Sequence, residues 1–109
     1  MANYPSIQQI YTHLHAHPET SWHEEKTTKY IETLLAETSF NIHRFDDCTG
    51  LVAELGHGKP CVAIRADMDA LWQEVDGEFT ANHSCGHDAH MSIVLHALFA
   101  LEERKADWK

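Results

Sequence analysis

The stretch "CGHDAHMSIVLHALFALEERK", residues 85–105, joins potential metal ligands to a long apolar segment. Apolar residues recur around most of the circumference of the helix predicted over roughly 86–105, so that helix needs covering on more than one side. Cys85, His87 and Asp88 stand at its start. The stretch therefore predicts a central helix with a candidate site at its N-terminus.

Two amphipathic helices are predicted upstream of this stretch. Residues 6–15 carry apolar side chains at the i, i+3, i+4, i+7 spacing of one helical face, and Pro18 ends the pattern. Ser21 lies three positions before Glu24, as in a capping box, and predicts the start of a second helix that ends near Thr38.

Three short strands are predicted between the second helix and the last one. They are "FNIHRF" (40–45), "GLVAELG" (50–56) and "CVAIRA" (61–66), and the third is so apolar that we expect it to be buried on both faces. Residues 67–84 turn polar and irregular, which predicts a long loop. This order of elements predicts an α/β domain that occupies residues 1–109.

Composition excludes several classes of partner. The chain has 109 residues, enough for one small domain, and its 8 Lys and Arg against 17 Asp and Glu form no basic patch for nucleic acid. No apolar run is long enough to span a membrane, and the N-terminus has no signal-peptide pattern, so we expect a cytoplasmic protein. Three cysteines, Cys48, Cys61 and Cys85, predict free thiols or metal ligands instead of a disulfide framework.

Potential ligands fall on both sides of the predicted loop. Asp67 and Asp69 follow the third strand, and sites in open α/β sheets form outside the carboxyl ends of strands. Cys85 and His87 can reach one ion because Gly86 lets the backbone turn tightly between them. Thiolate and imidazole are typical zinc ligands, and the ligand types also allow manganese or cobalt.

The neighbouring residues have several interpretations. A carboxylate behind a metal-bound histidine orients the ring, a role open to Asp69 or Asp88. His83 is either a substrate contact or an outer group of the site, and His90 is either support or packing. For Cys85 the alternatives to a metal ligand are a small buried residue and a nucleophilic or redox thiol.

Other histidines and acids lie outside this candidate site. His13, His15 and His17 alternate across a helix end and cannot share one face, so we interpret them as capping and surface groups. Glu102 and Glu103, in the last turn of the last helix, are interpreted as part of a solvated face.

Four stretches resemble one family in order and spacing. They are "LHAHPETSWHEEKT" (14–27), "TGLVAELG" (49–56), "VAIRADMDAL" (62–71) and "HSCGHDAH" (83–90). They are similar to the aminoacylase and hippurate-hydrolase branch of the di-metal metallopeptidases, and they cover nearly the whole chain. One departure is Trp72, where many members of the branch have proline, so the shape of the pocket is not predicted.

The resemblance implies a fold, an activity and a set of ligands. The fold is the N-terminal part of a zinc-exopeptidase-like α/β/α catalytic domain with a mixed sheet. The activity is hydrolysis of N-acyl amino acids or related amides by a metal-activated water, with two divalent ions, Zn, Mn or Co, in a complete site. Cys85 and His87 match two metal ligands of the family, and Asp69 matches an acidic residue just behind them.

Other parts of the family pattern have no match in this chain. These are a downstream Glu–Glu pair that supplies the general base, two later histidines, and a lid or dimerisation domain. We therefore expect a truncated catalytic domain, and the alternative to an active amidohydrolase is an inactive fragment or metal-binding module. Because strands that would cover the last helix are absent from such a fragment, an exposed apolar surface that allows self-association is expected.

Overall fold

The computed structural model describes residues 4–36, 38–56 and 63–104, which form three helices and four strands. The helices are α1 (Ile7–Ala16), α2 (Glu25–Leu35) and α3 (His87–Glu103). The strands are β1 (Asn41–Arg44), β2 (Leu51–Glu54), β3 (Leu71–Val75) and β4 (Glu78–Asn82). This combination of helices and small sheets confirms the predicted α/β class.

The strands form two separate antiparallel pairs. Strand β1 pairs with β2, and β3 pairs with β4 in a register that places Leu71 opposite Asn82. Parallel pairing in the described residues is limited to a single bridge between Thr20 and Ala70. The single mixed sheet that the family resemblance implies is therefore not formed in this part of the chain.

The predicted buried strand over 61–66 is wrong where it can be assessed. Its first two residues lie outside the described residues, and residues 63–66 have no strand conformation. Ile64 is largely exposed, as are Ala63 and Arg65. An apolar segment becomes a buried strand only when neighbours bond its backbone and cover its faces, and no strand in the described residues does so here.

The predicted irregular loop contains the β3–β4 hairpin. Its two-residue turn, Asp76–Gly77, has φ angles of 52° and 86°. Positive φ at both central residues is characteristic of the type I′ turn, which matches the twist of the flanking strands and favours Asp-Gly. That dipeptide was the signal in the sequence for this hairpin.

The capping box occurs at α1 instead of α2. The Ser6 hydroxyl accepts a bond from the Gln9 backbone N–H at 3.1 Å, and the Gln9 side chain accepts one from the Ser6 N–H at 2.8 Å. The predicted box at Ser21 is wrong, because the cap residue of α2 is Glu24 and it makes no side-chain capping bond. Trp22, between Ser21 and Glu24, has a φ of 70°, which is not helical, so the helix does not extend back to Ser21.

The core lies where α1, α2 and α3 meet. Its buried members are Ile10, Leu14, Ile31, Leu35, Phe40, Met91, Leu95 and Phe99. Met91, Leu95 and Phe99 follow one another at i, i+4, i+8, so one face of α3 is covered, whereas Ile93 on another face is exposed. In the described residues, no helix is both long and apolar enough to cross a membrane.

Candidate functional site

The base of the β3–β4 hairpin brings two distant segments of the chain together. The hairpin begins just after Asp69 and ends just before His83. The Cys85 Sγ lies 3.7 Å from the Asp69 carbonyl oxygen, and the His87 Nδ1 lies 3.0 Å from the same oxygen. Closure of the hairpin therefore places the thiol and the imidazole beside Asp69.

Asp69 fixes the orientation of the His87 ring. In addition to the backbone contact, His87 Nδ1 lies 3.1 Å from Asp69 Oδ1. A proton on Nδ1 serves both acceptors and leaves the lone pair of Nε2 for another partner. The nearest carboxylate to Nε2 belongs to Asp67, at 3.8 Å, and the other Asp67 oxygen accepts a bond from Arg65 at 2.8 Å.

Gly86 determines how the two potential ligands are separated. It is the N-cap of α3, with a φ of 91°, and a Cβ there would meet nothing within 4 Å. The requirement for glycine is therefore conformational and not one of space. The turn at Gly86 allows Cys85 and His87, on either side of it, to face Asp69 together.

Asp88 is almost fully buried and is paired with a residue that the sequence did not suggest. Its Oδ2 accepts a bond from His15 Nδ1 at 2.6 Å. The sequence interpretation of His15 as a capping or surface group therefore misses this contact. The two residues lie 73 positions apart, so no local spacing reveals the pair, although both fall within the family-like stretches.

His83 is a buried histidine whose ring has no hydrogen-bond partner among the described residues. It is 4% exposed, and neither Nδ1 nor Nε2 forms a hydrogen bond with a group in residues 4–36, 38–56 or 63–104. Burial lowers its pKa, because a desolvated imidazolium is unfavourable; the carboxylates of Asp88 and Asp69 oppose this shift, and His15 and His87 add to it. Burial thus favours the neutral form of the His83 imidazole, which lies within electrostatic reach of the other site residues.

The remaining histidines of α3 lie at the periphery. His90 is exposed, with its ring centroid 6.1 Å from that of His87. His96 contacts the Pro5 carbonyl oxygen at 2.9 Å and packs edge-on against Phe99.

The interpretation of Glu102 as part of a solvated face is wrong. The residue is buried, and its carboxylate accepts bonds from the backbone N–H and the hydroxyl of Ser39 at 3.0 and 3.1 Å. Glu102 therefore ties the end of α3 to the approach to β1.

Cys85 and His87 are two potential metal donors near Asp69. Within 4–36, 38–56 and 63–104, no group of three or more His, Cys, Asp or Glu side chains is arranged to hold an ion. Cys85 is a free thiol beside a ring-oriented imidazole, a donor pair that suits zinc and related divalent ions. The residues thus fit a divalent cation as two of its ligands.

One cavity in the described residues lies away from this donor pair. It has a volume of about 320 Å³ and is lined by His13, Leu14, His17, Lys26 and Thr27. None of the predicted site residues lines it. A cavity needs convergent chemistry to act as a site, so the Cys85–His87 region remains the candidate.

The chain is similar in sequence to several hydrolases. It is 37% identical over 88% of its length to the N-acetylcysteine deacetylase of Bacillus subtilis. It is also 41% and 43% identical, each over 76% of its length, to uncharacterized hydrolases of Staphylococcus haemolyticus and Staphylococcus aureus. The chain spans 24–28% of these proteins, about a quarter of their length. No family model matches the chain. It is a relative of hydrolases, one of them named a deacetylase.

Proposed function

We propose that this chain supplies the first two ligands of the metal site in an amidohydrolase that cleaves N-acyl amino acids. The observation that carries the proposal is the convergence of Cys85 and His87 on Asp69. The similarity to an N-acetylcysteine deacetylase supports the substrate class, an amide between an acyl group and an amino acid.

The described residues would hold the ion through complementary contacts. Cys85 would offer a thiolate, and His87 would offer the Nε2 lone pair while its Nδ1–H donates a hydrogen bond to the Asp69 carboxylate. A divalent cation bound there supplies Lewis-acid polarisation of a carbonyl and lowers the pKa of water. We propose zinc, manganese or cobalt, with the thiolate favouring zinc.

Hydrolysis also requires a base that accepts a proton from water. The family resemblance assigns that role to a downstream Glu–Glu pair with no match in these 109 residues. We therefore propose that the chain alone binds a metal weakly without catalysing hydrolysis, and that turnover belongs to the natural protein that carries this sequence.

An activity assay tests the two parts of this proposal. N-Acetylcysteine and other N-acetyl and N-benzoyl amino acids would be incubated with the chain and with the natural protein, each with Zn²⁺, Mn²⁺ or Co²⁺. We expect turnover only from the natural protein, and its kcat/KM should fall at least about 100-fold in Cys85→Ser. Turnover by the 109-residue chain that vanishes in Cys85→Ser would disprove the inactive-module part.

Thiol alkylation tests the ligand role separately from activity. In a Cys48→Ser, Cys61→Ser background, Cys85 is the single remaining cysteine. Added Zn²⁺ should slow its reaction with iodoacetamide, because a metal-bound thiolate is a poorer nucleophile. Equal rates with and without metal would contradict the assignment of Cys85 as a ligand.

A further inference from the structure

The start of α3 is tied to α1 by a hydrogen bond between the buried Asp88 carboxylate and the half-exposed His15 ring. Asp88 Oδ2 lies 2.6 Å from Nδ1 of His15, which stands in the last turn of α1. The Asp88 side chain is 2% exposed, whereas that of His15 is 51% exposed. A buried carboxylate is costly without a partner, so the contact with His15 stabilises Asp88 where it lies.

Apart from the contacts of His87 with Asp69 and Asp67, side-chain bonds to the N–H groups in the first turn of α3 within the described residues come from Asp88. The N-cap of α3, Gly86, has no side chain to bond the free backbone N–H groups. Asp88 compensates, because its Oδ1 accepts from the Ala89 N–H at 2.8 Å. One oxygen of Asp88 thus bonds the helix backbone and the other bonds His15.

We infer that His15 is a positioning residue for the metal site: through Asp88 it holds the first turn of α3 so that Cys85 and His87 face Asp69 together. Cys85 and His87 lie on either side of Gly86, the N-cap residue that has no side chain to bond the helix, and directly before Asp88. A loosened first turn would therefore change the distance between the two donors. This inference rests on the proposed metal site.

The apolar packing of α3 begins further along the helix than the His15–Asp88 contact. Met91 and Leu95, which anchor the helix in the core, lie one and two turns beyond His87. Loss of the His15 contact should therefore loosen the ligand-bearing turn while the body of α3 stays packed. The same loss should lower metal affinity more than it lowers thermal stability.

A cobalt titration of the full chain distinguishes these effects. Co²⁺ bound to the wild type should give a near-ultraviolet thiolate–cobalt band that is absent in Cys85→Ser. His15→Gln and His15→Phe, which do not place an N–H at the Nδ1 position, should weaken Co²⁺ binding about tenfold, the lower end of the usual 10- to 100-fold effect of such supporting residues. His15→Asn should bind like the wild type, because its amide N–H takes the place of Nδ1–H.

His17→Gln is the matched control, since His17 follows α1 directly and its Nδ1 contacts the His13 carbonyl oxygen instead of α3. It should leave the cobalt affinity unchanged. Melting curves would accompany each titration, and if His15→Gln does not fold, His15→Phe and His15→Asn still carry the comparison.

The outcomes separate the inference from the proposal on which it rests. A Cys85-dependent cobalt band with unchanged affinity in folded His15→Gln or His15→Phe would overturn the role of His15 and leave the proposed metal site standing. If His15→Asn loses as much Co²⁺ affinity as His15→Gln, the hydrogen bond to Asp88 is not the cause of the effect. Absence of the band in the wild type would overturn the metal site, and the inference would fall with it.

Discussion

At the scale of single residues, Glu19 caps α2 from outside the helix. Its carboxylate accepts bonds from the backbone N–H of Lys26 at 3.2 Å and from the N–H and hydroxyl of Thr27, both at 2.7 Å. Glu19→Ala should lower the free energy of unfolding by about 1–2 kcal/mol, the usual cost of a lost cap, as measured by urea denaturation. Glu25→Ala, at an exposed position in the same turn, should change it much less; equal losses would contradict this role.

His13 predicts a pH dependence of stability. Burial and the neighbouring His17 lower its pKa below 6.5, and its ring stacks on Tyr30 at 3.8 Å. The unfolded chain therefore binds the proton more tightly, so this contribution is present above pH 6.5 and is lost as the pH falls through the lower folded-state pKa. His13→Phe should show a smaller drop in urea midpoint between pH 7.5 and pH 5 than the wild type. An identical drop would contradict this assignment.

The residues that could be predicted are those whose signal is local. Cys85 and His87 lie two positions apart in the motif, and the structure does bring them to Asp69. His15 and Glu19 could not be found by spacing, because their contacts depend on how α1 and α2 pack and where α2 begins. Long-range partners of this kind follow from tertiary structure, not from periodicity.

At the scale of elements, the β3–β4 hairpin depends on its turn. Gly77 has a φ of 86°, and a Cβ there would meet no atom within 4 Å. Gly77→Ala should therefore destabilise the hairpin by about 1 kcal/mol through backbone strain alone. Amide exchange of β3 and β4 should accelerate roughly fivefold, whereas Gly77→Asn should stay close to wild type because asparagine tolerates this conformation. Equal acceleration in both variants would contradict a strain mechanism.

An element could be predicted when its own segment carries the whole signal. Helices α1, α2 and α3 follow from 3.6-residue periodicity, which one segment carries by itself. The strand over 61–66 was wrong beyond residue 62 because burial of an apolar strand requires partners. The hairpin was missed because β3 and β4 carry several polar residues and show no clear alternation, so the Asp76–Gly77 turn is their one local signal.

At the scale of the whole molecule, the chain exposes more surface than a compact domain of its size. Its accessible surface is 7814 Å² for 12.4 kDa, against about 6,100 Å² from the scaling of folded monomers. Part of the excess is apolar. Trp72 and Phe79, in β3 and β4, are 65% and 63% exposed. The register pairs Trp72 with Ala81 and Phe79 with Glu74, so both aromatic rings lie on one face of the hairpin.

This aromatic face, Trp72 and Phe79, predicts self-association. Sedimentation equilibrium of the 109-residue chain should show a weight-average mass that rises with concentration. Replacing both residues, Trp72→Ser with Phe79→Ser, should weaken association by roughly two to four orders of magnitude, because burying each large apolar side chain is worth about 1.5–3 kcal/mol. Ile7→Ser, at another exposed apolar position, on α1, serves as the control and should leave association intact. If the double variant and the wild type associate equally, the contact lies on another surface, and exposure of Trp72 and Phe79 does not drive association.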